Sequence, residues 1–342
     1  MKAIRARGFT VPMLLGAVLA VLVAANAWLQ YSGFQAMRAR MAERAQRSHR
    51  PSPPAAPVET NLVLNSAAAF ALLGTLGVLS ARSRYLRRAE RWQQQLEQGR
   101  AVQSQLMPRA GATLPDVDVA AEFVPALEVG GDLYDVFAAA GGRVAFAVGD
   151  VSGKGLPAAL LTGLIHGALR TNAWQANPAS NEAFAQQLNS LLCGRTLEAR
   201  YATLFWGAYD PAAGRLTYIN AGHCPGFVVR RERVQRLDSS GPVLGLLPHA
   251  QYREVGVDFE PGDVLVLYSD GIVEAANHSG EEYGEERLRR VLEHCTVSSA
   301  AEVRAAILDD LRAFLGGGAP DDDLTLLALE AQPATVALSA AA

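Results

Sequence analysis

Aspartates at the ends of apolar runs are the side chains in this sequence best placed to do chemistry. Asp150 closes Ala-Phe-Ala-Val-Gly (145–149), and Asp270 closes Leu-Val-Leu-Tyr-Ser (265–269). Asp321, Asp322 and Asp323 open onto Leu-Thr-Leu-Leu-Ala-Leu (324–329), and Asp132 and Asp135 share Gly-Gly-Asp-Leu-Tyr-Asp (130–135). A carboxylate at the rim of an apolar strand stays charged only if something compensates it. For a single Asp the compensation is usually a turn or helix-cap hydrogen bond. Four such places, each with glycine nearby so that the backbone can approach a ligand, point instead to a cluster of hard oxygen donors. Such donors suit Mg2+ or Mn2+, with water completing the shell. Two ions sharing a bridging water deprotonate it near neutral pH and aim it at phosphorus, so no covalent nucleophile is needed.

Three other groupings hold reactive side chains. Lys154, in Gly-Asp-Val-Ser-Gly-Lys-Gly (149–155), has the outline of a phosphate-binding loop. The spacing is wrong, Gly155 stands where Ser or Thr is required, and Asp150 repels phosphate unless metal intervenes. Lys154 is then a solvated loop lysine or a contact for an incoming phosphoprotein. Cys224 and Arg230 satisfy the Cys-x5-Arg spacing of thiolate phosphatases, in which amides cradle phosphate and Arg clamps it. The intervening Phe-Val-Val-Arg (227–230) reads as strand, however, and Arg231 stands where a hydroxyl would help the leaving thiolate. His223 is either a general acid toward the leaving oxygen or a structural histidine holding its loop.

The scaffold for these residues shows in the hydropathy pattern. Runs at 117–124, 144–148, 203–209, 216–220, 227–230, 264–268 and 324–329, bounded by Gly, Pro and Asp, read as strands. Helical patterns occupy 156–174, 181–197, 285–294 and 299–315. The strands cluster instead of alternating strictly with helices, which predicts an antiparallel α+β layer fold. Pro157 is tolerated in the first turn of the helix after Asp150, and the stripe Leu160, Leu161, Leu164, Ile165, Ala168 and Leu169 is expected in the core. The acidic stretch 281–286 is expected to be solvated or to face a partner. The 342 residues are half apolar with a net charge of −3, which does not suggest a nucleic-acid partner. Three cysteines, Cys193, Cys224 and Cys295, without a CxxC pair, argue against a disulfide framework or structural zinc and for a reducing compartment.

The N-terminal part has a different texture. Residues 11–29 are uncharged and follow Lys2, Arg5 and Arg7, which predicts a membrane span with its N-terminus inside. That reading is preferred to the cleaved signal peptide suggested by Ala-Asn-Ala at 25–27. A second uncharged run, 62–80, is followed by Arg82, Arg84, Arg87, Arg88 and Arg91, a cytoplasmic flank. Arg38, Arg40, Arg44, Arg47 and Arg50 would then lie outside, which counts against two spans. Residues 51–57 (PSPPAAP) read as an extended linker unable to hold a helix. From 85 to 107 a helix is predicted, with Tyr85, Ala89, Trp92, Leu96, Gly99, Val102 and Leu106 forming a coiled-coil-like seam. The seam is either a homodimer contact or a face packed on the next domain, and Pro108 stops the helix.

Five segments, GGDLYD (130–135), VGDVSGKGLPAAL (148–160), NAGH (220–223), SDGIVEA (269–275) and DDDLT (321–325), resemble in order and separation the PPM-type protein phosphatases. The likeness is to their bacterial sporulation stage II and sigma-factor-regulating branch, and it covers about residues 96–330. It implies a sandwich of two antiparallel β-sheets flanked by helices, two Mn2+ or Mg2+ ions at one end, and hydrolysis of phosphoserine or phosphothreonine. Carried over, Asp150 is the carboxylate bridging both metals with the carbonyl of Val151 beside it, Asp270 serves one metal and Asp132 the other. Asp322 is the ligand of the last motif, with Asp321 or Asp323 as alternatives in register. Asp135, Lys154, Gly271, Asn220, His223 and Asp323 are expected around them as supports or substrate contacts. Cys224 replaces the family's usual Asn after NAGH, and the phosphate-binding Arg of eukaryotic relatives has no counterpart.

The expected organisation is a membrane anchor with two transmembrane helices at 1–82, a linker helix at 83–108, the phosphatase domain at 109–332 and a tail at 333–342. The expected protein is an inner-membrane phosphatase facing the cytoplasm, whose substrate, by likeness, is a phosphorylated anti-sigma-factor antagonist. The competing reading is a catalytically silent scaffold that binds partners.

Overall fold

The computed structural model describes residues 11–48, 56–108, 114–175, 180–194, 200–231, 233–295, 299–318 and 322–333. It divides into two units, Met1–Gln94 and Gln95–Ala342.

The first unit holds α1 (Val11–Ser48) and the greater part of α2 (Ala56–Leu106). Small residues let the two helices lie side by side: Ala20, Ala24 and Ala27 of α1 share a cavity of about 330 Å3 with Ser66, Ala69 and Phe70 of α2. Among the described residues one helical stretch, Ser66–Leu106, is long and apolar enough to cross a membrane. The structure thus supports one apolar span where the sequence predicts two, and the side chains of residues 11–19 lie outside the description. One boundary differs: α2 begins at Ala56, inside the 51–57 stretch read as linker, and it runs without interruption through the expected second span and linker helix. Pro57 sits in the first turn of α2, where its missing N–H has no partner to lose.

The second unit is built on two five-stranded antiparallel sheets. One has the order β1 (Val117–Val124), β10 (Leu324–Ala331), β9 (Val264–Tyr268), β6 (Gly226–Arg230), β7 (Arg233–Leu237). The other has the order β2 (Asp132–Ala138), β3 (Val144–Val151), β4 (Ala202–Asp210), β5 (Arg215–Ala221), β8 (Val255–Asp258). The central strands β3, β9 and β10 are apolar almost throughout and buried almost throughout, as strands covered on both faces must be. Phe205 stacks on Tyr218 at 4.8 Å in the core, where Leu204, Leu265 and Leu327 are also fully buried.

Helices α3 (Leu156–Trp174) and α4 (Asn181–Cys193) pack on the β2–β5 sheet, and α6 (Glu285–His294) and α7 (Ala300–Leu315) belong to the other side, with the short α5 (Asp270–Val273) after β9. Ser180 and Ser299 cap α4 and α7 by accepting from the amides of Ala183 and Glu302. Two sequence expectations change here. α4 ends at Cys193 before Gly194, not at 197. On α3, Ile165 and Leu169 are core, but Leu160 and Leu164 are 67% and 39% exposed, because the face opposite them is given to polar side chains that meet β2. In the part of α2 that belongs to this unit Gln103 is buried, as is Met107 just past its end, while Val102 and Leu106 are exposed. The packed seam is therefore one residue out of step with the predicted stripe.

Candidate active site

Strands β2 and β3 bring the first two aspartates face to face. In their antiparallel register Asp132, the first residue of β2, pairs with Asp150 near the end of β3. Asp132 is 1% exposed and accepts a 2.5 Å hydrogen bond from Thr325 Oγ1 of β10, a link between the two sheets. Asp270 opens α5 directly after β9, and Asp322 and Asp323 immediately precede β10, the neighbour of β9. Each sheet thus contributes carboxylates to one end of the sandwich.

The electrostatics show how close they are. Burial pushes Asp150 up to about 7, reinforced by the negative charge of Asp270, Asp322 and Asp323. Burial also raises Asp132 well above the usual carboxylate range, against the Thr325 hydrogen bond and with the help of Asp150. Asp270 is raised by burial and then by Asp322. Carboxylates that hold each other's protons on gain from a nearby cation. Among the described residues no three His, Cys, Asp or Glu side chains close on one point as metal ligands. Lys154 Nζ draws Asp322 to 2.9 Å, Thr325 holds Asp132, and Asp321 lies outside the described residues. The donor set nevertheless fits a hard divalent ion: all oxygen, crowded, and mutually repelling. Gly131 keeps the space open, since a Cβ there would lie 2.7 Å from the carbonyl oxygen of Val151 and 2.8 Å from Asp150 Oδ1.

The acidic triplet divides its tasks. Asp323 accepts from the amides of Gly131 at 2.7 Å, Ala126 at 2.8 Å and Asp132 at 3.4 Å, which pins the glycine turn ahead of β2. Asp322 is half-exposed and its charge acts on Asp150 and Asp270. Gly271 sits against the Asp323 carbonyl oxygen, which a Cβ would strike. Ser269 completes the anchor, donating to that carbonyl at 3.2 Å and accepting from the Thr325 amide at 3.0 Å.

Asp135 is not at this cluster. Three positions along a strand from Asp132 it points to the opposite face, toward α3, where Arg170 and His166 meet it. His223 is buried, and burial lowers it to about 4, which favours the neutral imidazole at pH 7. Its Nδ1 lies 2.8 Å from Thr203 Oγ1, and Thr203 is the β4 partner of Asp150. Asn220 organises the same turn, accepting from the His223 amide at 2.8 Å and donating to the Cys224 carbonyl at 3.2 Å. These contacts tie the His223 loop to β4, the strand paired with the Asp150 end of β3. Burial pushes the Cys224 thiol up to about 12. Arg230 lies at the far end of extended β6 and grips Asp263 with Nε at 2.9 Å, so the Cys-x5-Arg spacing forms no cradle.

Several supports have no signature in the sequence. Gln103 of α2 forms a reciprocal pair with Gly130, donating to its carbonyl at 2.9 Å and accepting from its amide at 3.2 Å. Arg200 Nη1 donates to the Ser152 carbonyl at 3.3 Å, steadying the loop after Asp150. Thr325, by contrast, closes the DDDLT segment, but its contact with a carboxylate 193 residues away does not show in the sequence. Contacts this distant appear only once the sheets are assembled.

The profile of the family described as Stage II sporulation protein E (SpoIIE) matches residues 140–332, more than half of the chain. The chain belongs to the SpoIIE family. This SpoIIE-family chain is 30% identical over 261 residues to Protein IcfG of Synechocystis sp. (strain ATCC 27184 / PCC 6803 / Kazusa), covering 69% of this chain and 41% of IcfG. It is 30% identical over 215 residues to Phosphoserine phosphatase RsbU of Bacillus subtilis (strain 168), covering 62% of this chain and 63% of RsbU. The chain thus spans less than two thirds of the length of either relative. The SiaA-PP2C domain of Pseudomonas aeruginosa aligns with a TM-score of 0.61 at 21% identity, over 71% of this chain and 98% of that one. The PP2C phosphatase domain of SpoIIE from Bacillus subtilis aligns with a TM-score of 0.55 at 22% identity, over 63% and 62%. These likenesses show that the SpoIIE-family domain has the PP2C fold, as the sequence resemblance implies.

Proposed function

We propose that this SpoIIE-family chain is a metal-dependent serine/threonine phosphoprotein phosphatase, anchored in the inner membrane with its catalytic domain in the cytoplasm. The observation that carries the reading is the pairing of Asp132 with Asp150 across β2 and β3, with Asp270 and Asp322 raising the charge density beside them. Asp132, Asp150, Asp270, Asp322 and the Val151 carbonyl are the oxygens that would hold two Mn2+ or Mg2+ ions. Bound there, such ions lower the pKa of a shared water and stabilise charge on the phosphoryl oxygens. The chain's own residues position the reaction. Asp323 fixes the glycine turn, Thr325 aims Asp132, and Lys154, 54% exposed, meets the phosphate of an incoming protein.

RsbU is named a phosphoserine phosphatase, which supports phosphoserine as the substrate group. The sigma-factor-regulating likeness extends this to a phosphorylated anti-sigma-factor antagonist. The apolar stretch within Ser66–Leu106 and the arginines at 82–91 support the anchor, and the exposed Tyr85 and Trp92 support a homodimer seam on α2. The test is hydrolysis of a phosphoserine peptide by the full chain in detergent. Activity lost in EDTA and regained with Mn2+ is expected. Activity indifferent to EDTA overturns the metal reading, and none at saturating Mn2+ favours a scaffold.

A further inference from the structure

We infer that Thr162, His166 and Arg170 of α3 are positioning residues that hold strand β2 in register and thereby set the affinity of the site for its metal. This rests on the metal-dependent reading above. The three residues recur every fourth position, so they share one face of α3, and that face lies on β2. Thr162 Oγ1 donates to the Gly131 carbonyl at 2.9 Å, the same oxygen that accepts the Val151 amide at 3.2 Å. One carbonyl thus ties α3 both to the turn before Asp132 and to the peptide of Val151.

Three residues further along β2 the same helix holds Asp135. Arg170 grips it with both arms of its fork, Nε to Oδ2 and Nη2 to Oδ1 at 2.8 Å each, while His166 Nδ1 lies 3.1 Å from Oδ2. Asp135 is fully buried, and the Arg170 guanidinium lies 4.7 Å from the centre of the Phe137 ring. His166 Nε2 is buried without a hydrogen bond, so this imidazole acts through Asp135 alone. A buried ion pair is a poor stabiliser compared with apolar packing, because desolvation offsets most of the attraction. It does tolerate only one register, since a one-residue slip of β2 would turn Asp135 away from α3 and Asp132 away from Asp150.

The molecule supplies its own control. Arg287 grips Asp310 in the same way, Nε to Oδ2 at 2.7 Å and Nη2 to Oδ1 at 3.1 Å, with the Phe314 ring centre at 4.8 Å. That pair joins α6 to α7 and touches no residue of β2. Calorimetric titration of the metal-free full chain with Mn2+ separates the roles. Arg170→Met is expected to weaken Mn2+ binding about 10–100-fold, the range for losing a partner that orients a ligand. It should raise the Mn2+ needed for half-maximal peptide hydrolysis in step while sparing kcat at saturating Mn2+, and Arg170→Lys should recover part of the loss. Arg287→Met should lower the Tm and leave Mn2+ affinity at the wild-type value. If Arg170→Met does not fold, His166→Gln and Thr162→Val make the same test, each expected to shift Mn2+ affinity where Arg287→Met does not. Variants that lose stability but bind Mn2+ like wild type overturn the inference and leave the metal reading standing. A wild-type chain that binds no Mn2+ overturns both.

Discussion

Asp323 accepts hydrogen bonds from three backbone amides, whereas Asp322 reaches out to Lys154 and acts on Asp150 and Asp270. Removing the first strands buried donors, so Asp323→Ala should cost about 1–3 kcal/mol of stability, read as a fall in Tm. Asp322→Ala should leave the Tm within the small range typical of surface substitutions and abolish Mn2+ response. The reverse result would exchange their roles. Both aspartates were legible as chemistry from the DDDLT segment, but their division of labour was not, because it depends on amides that arrive from the turn before β2. His223 makes a second prediction at this scale. Its folded pKa of about 4 lies below the ordinary value of 6.5, so protonation favours the unfolded chain. The stability this group contributes is complete above about 6.5 and is lost as pH falls toward about 4. His223→Gln should therefore flatten the loss of Tm between those pH values, and it should leave the neutral-pH limb of the rate profile in place. A rate limb that disappears with His223 would restore it as the general acid.

The elements explain why some strands were visible in the sequence and others were not. β9 is an uninterrupted apolar run and β10 is one broken only by Thr325 and Glu330, so the start of each follows from hydropathy. β2 begins inside Gly-Gly-Asp and alternates nothing, since both its faces are buried, one by the opposing sheet and the other by α3. β7 and β8 are short and partly exposed and lack the apolar runs that marked the other strands. On α3 the apolar residues cover too wide an arc for one stripe, and only packing decides that Ile165 is core and Leu160 is not. Ile165→Ala should accordingly cost about 2–5 kcal/mol and Leu160→Ala less than about 0.5 kcal/mol, measured by denaturant unfolding. Equal costs would mean that α3 is rotated from the face described. α2 shows the same limit of hydropathy. Its predicted seam passes through Val102 and Leu106, yet the reciprocal pair of Gln103 with Gly130 turns the polar residue inward instead.

For the whole molecule, the sequence made an antiparallel α+β sandwich and a single cluster of aspartates legible, because strand ends and glycines recur in a known order. It predicted two membrane spans where the described residues hold one helical stretch apolar enough to cross, and arginines flank both apolar runs, so charge alone gives no unique orientation. The anchor makes its own prediction: the full chain should stay with the membrane fraction through a carbonate wash, and its release would contradict the span in Ser66–Leu106. The central claim concerns the other end of the chain, where two sheets meet in carboxylates that raise each other's affinity for protons or, in their place, cations. Calorimetric titration of the metal-free protein with Mn2+ tests it most directly, alongside Asp150→Ala. The account predicts two ions bound per wild-type chain, with binding at the bridged site lost and peptide hydrolysis reduced below about 1% in the variant, because the shared water loses the charge that activates it. Wild-type protein that binds no Mn2+, or a variant that binds and hydrolyses like wild type, would contradict it.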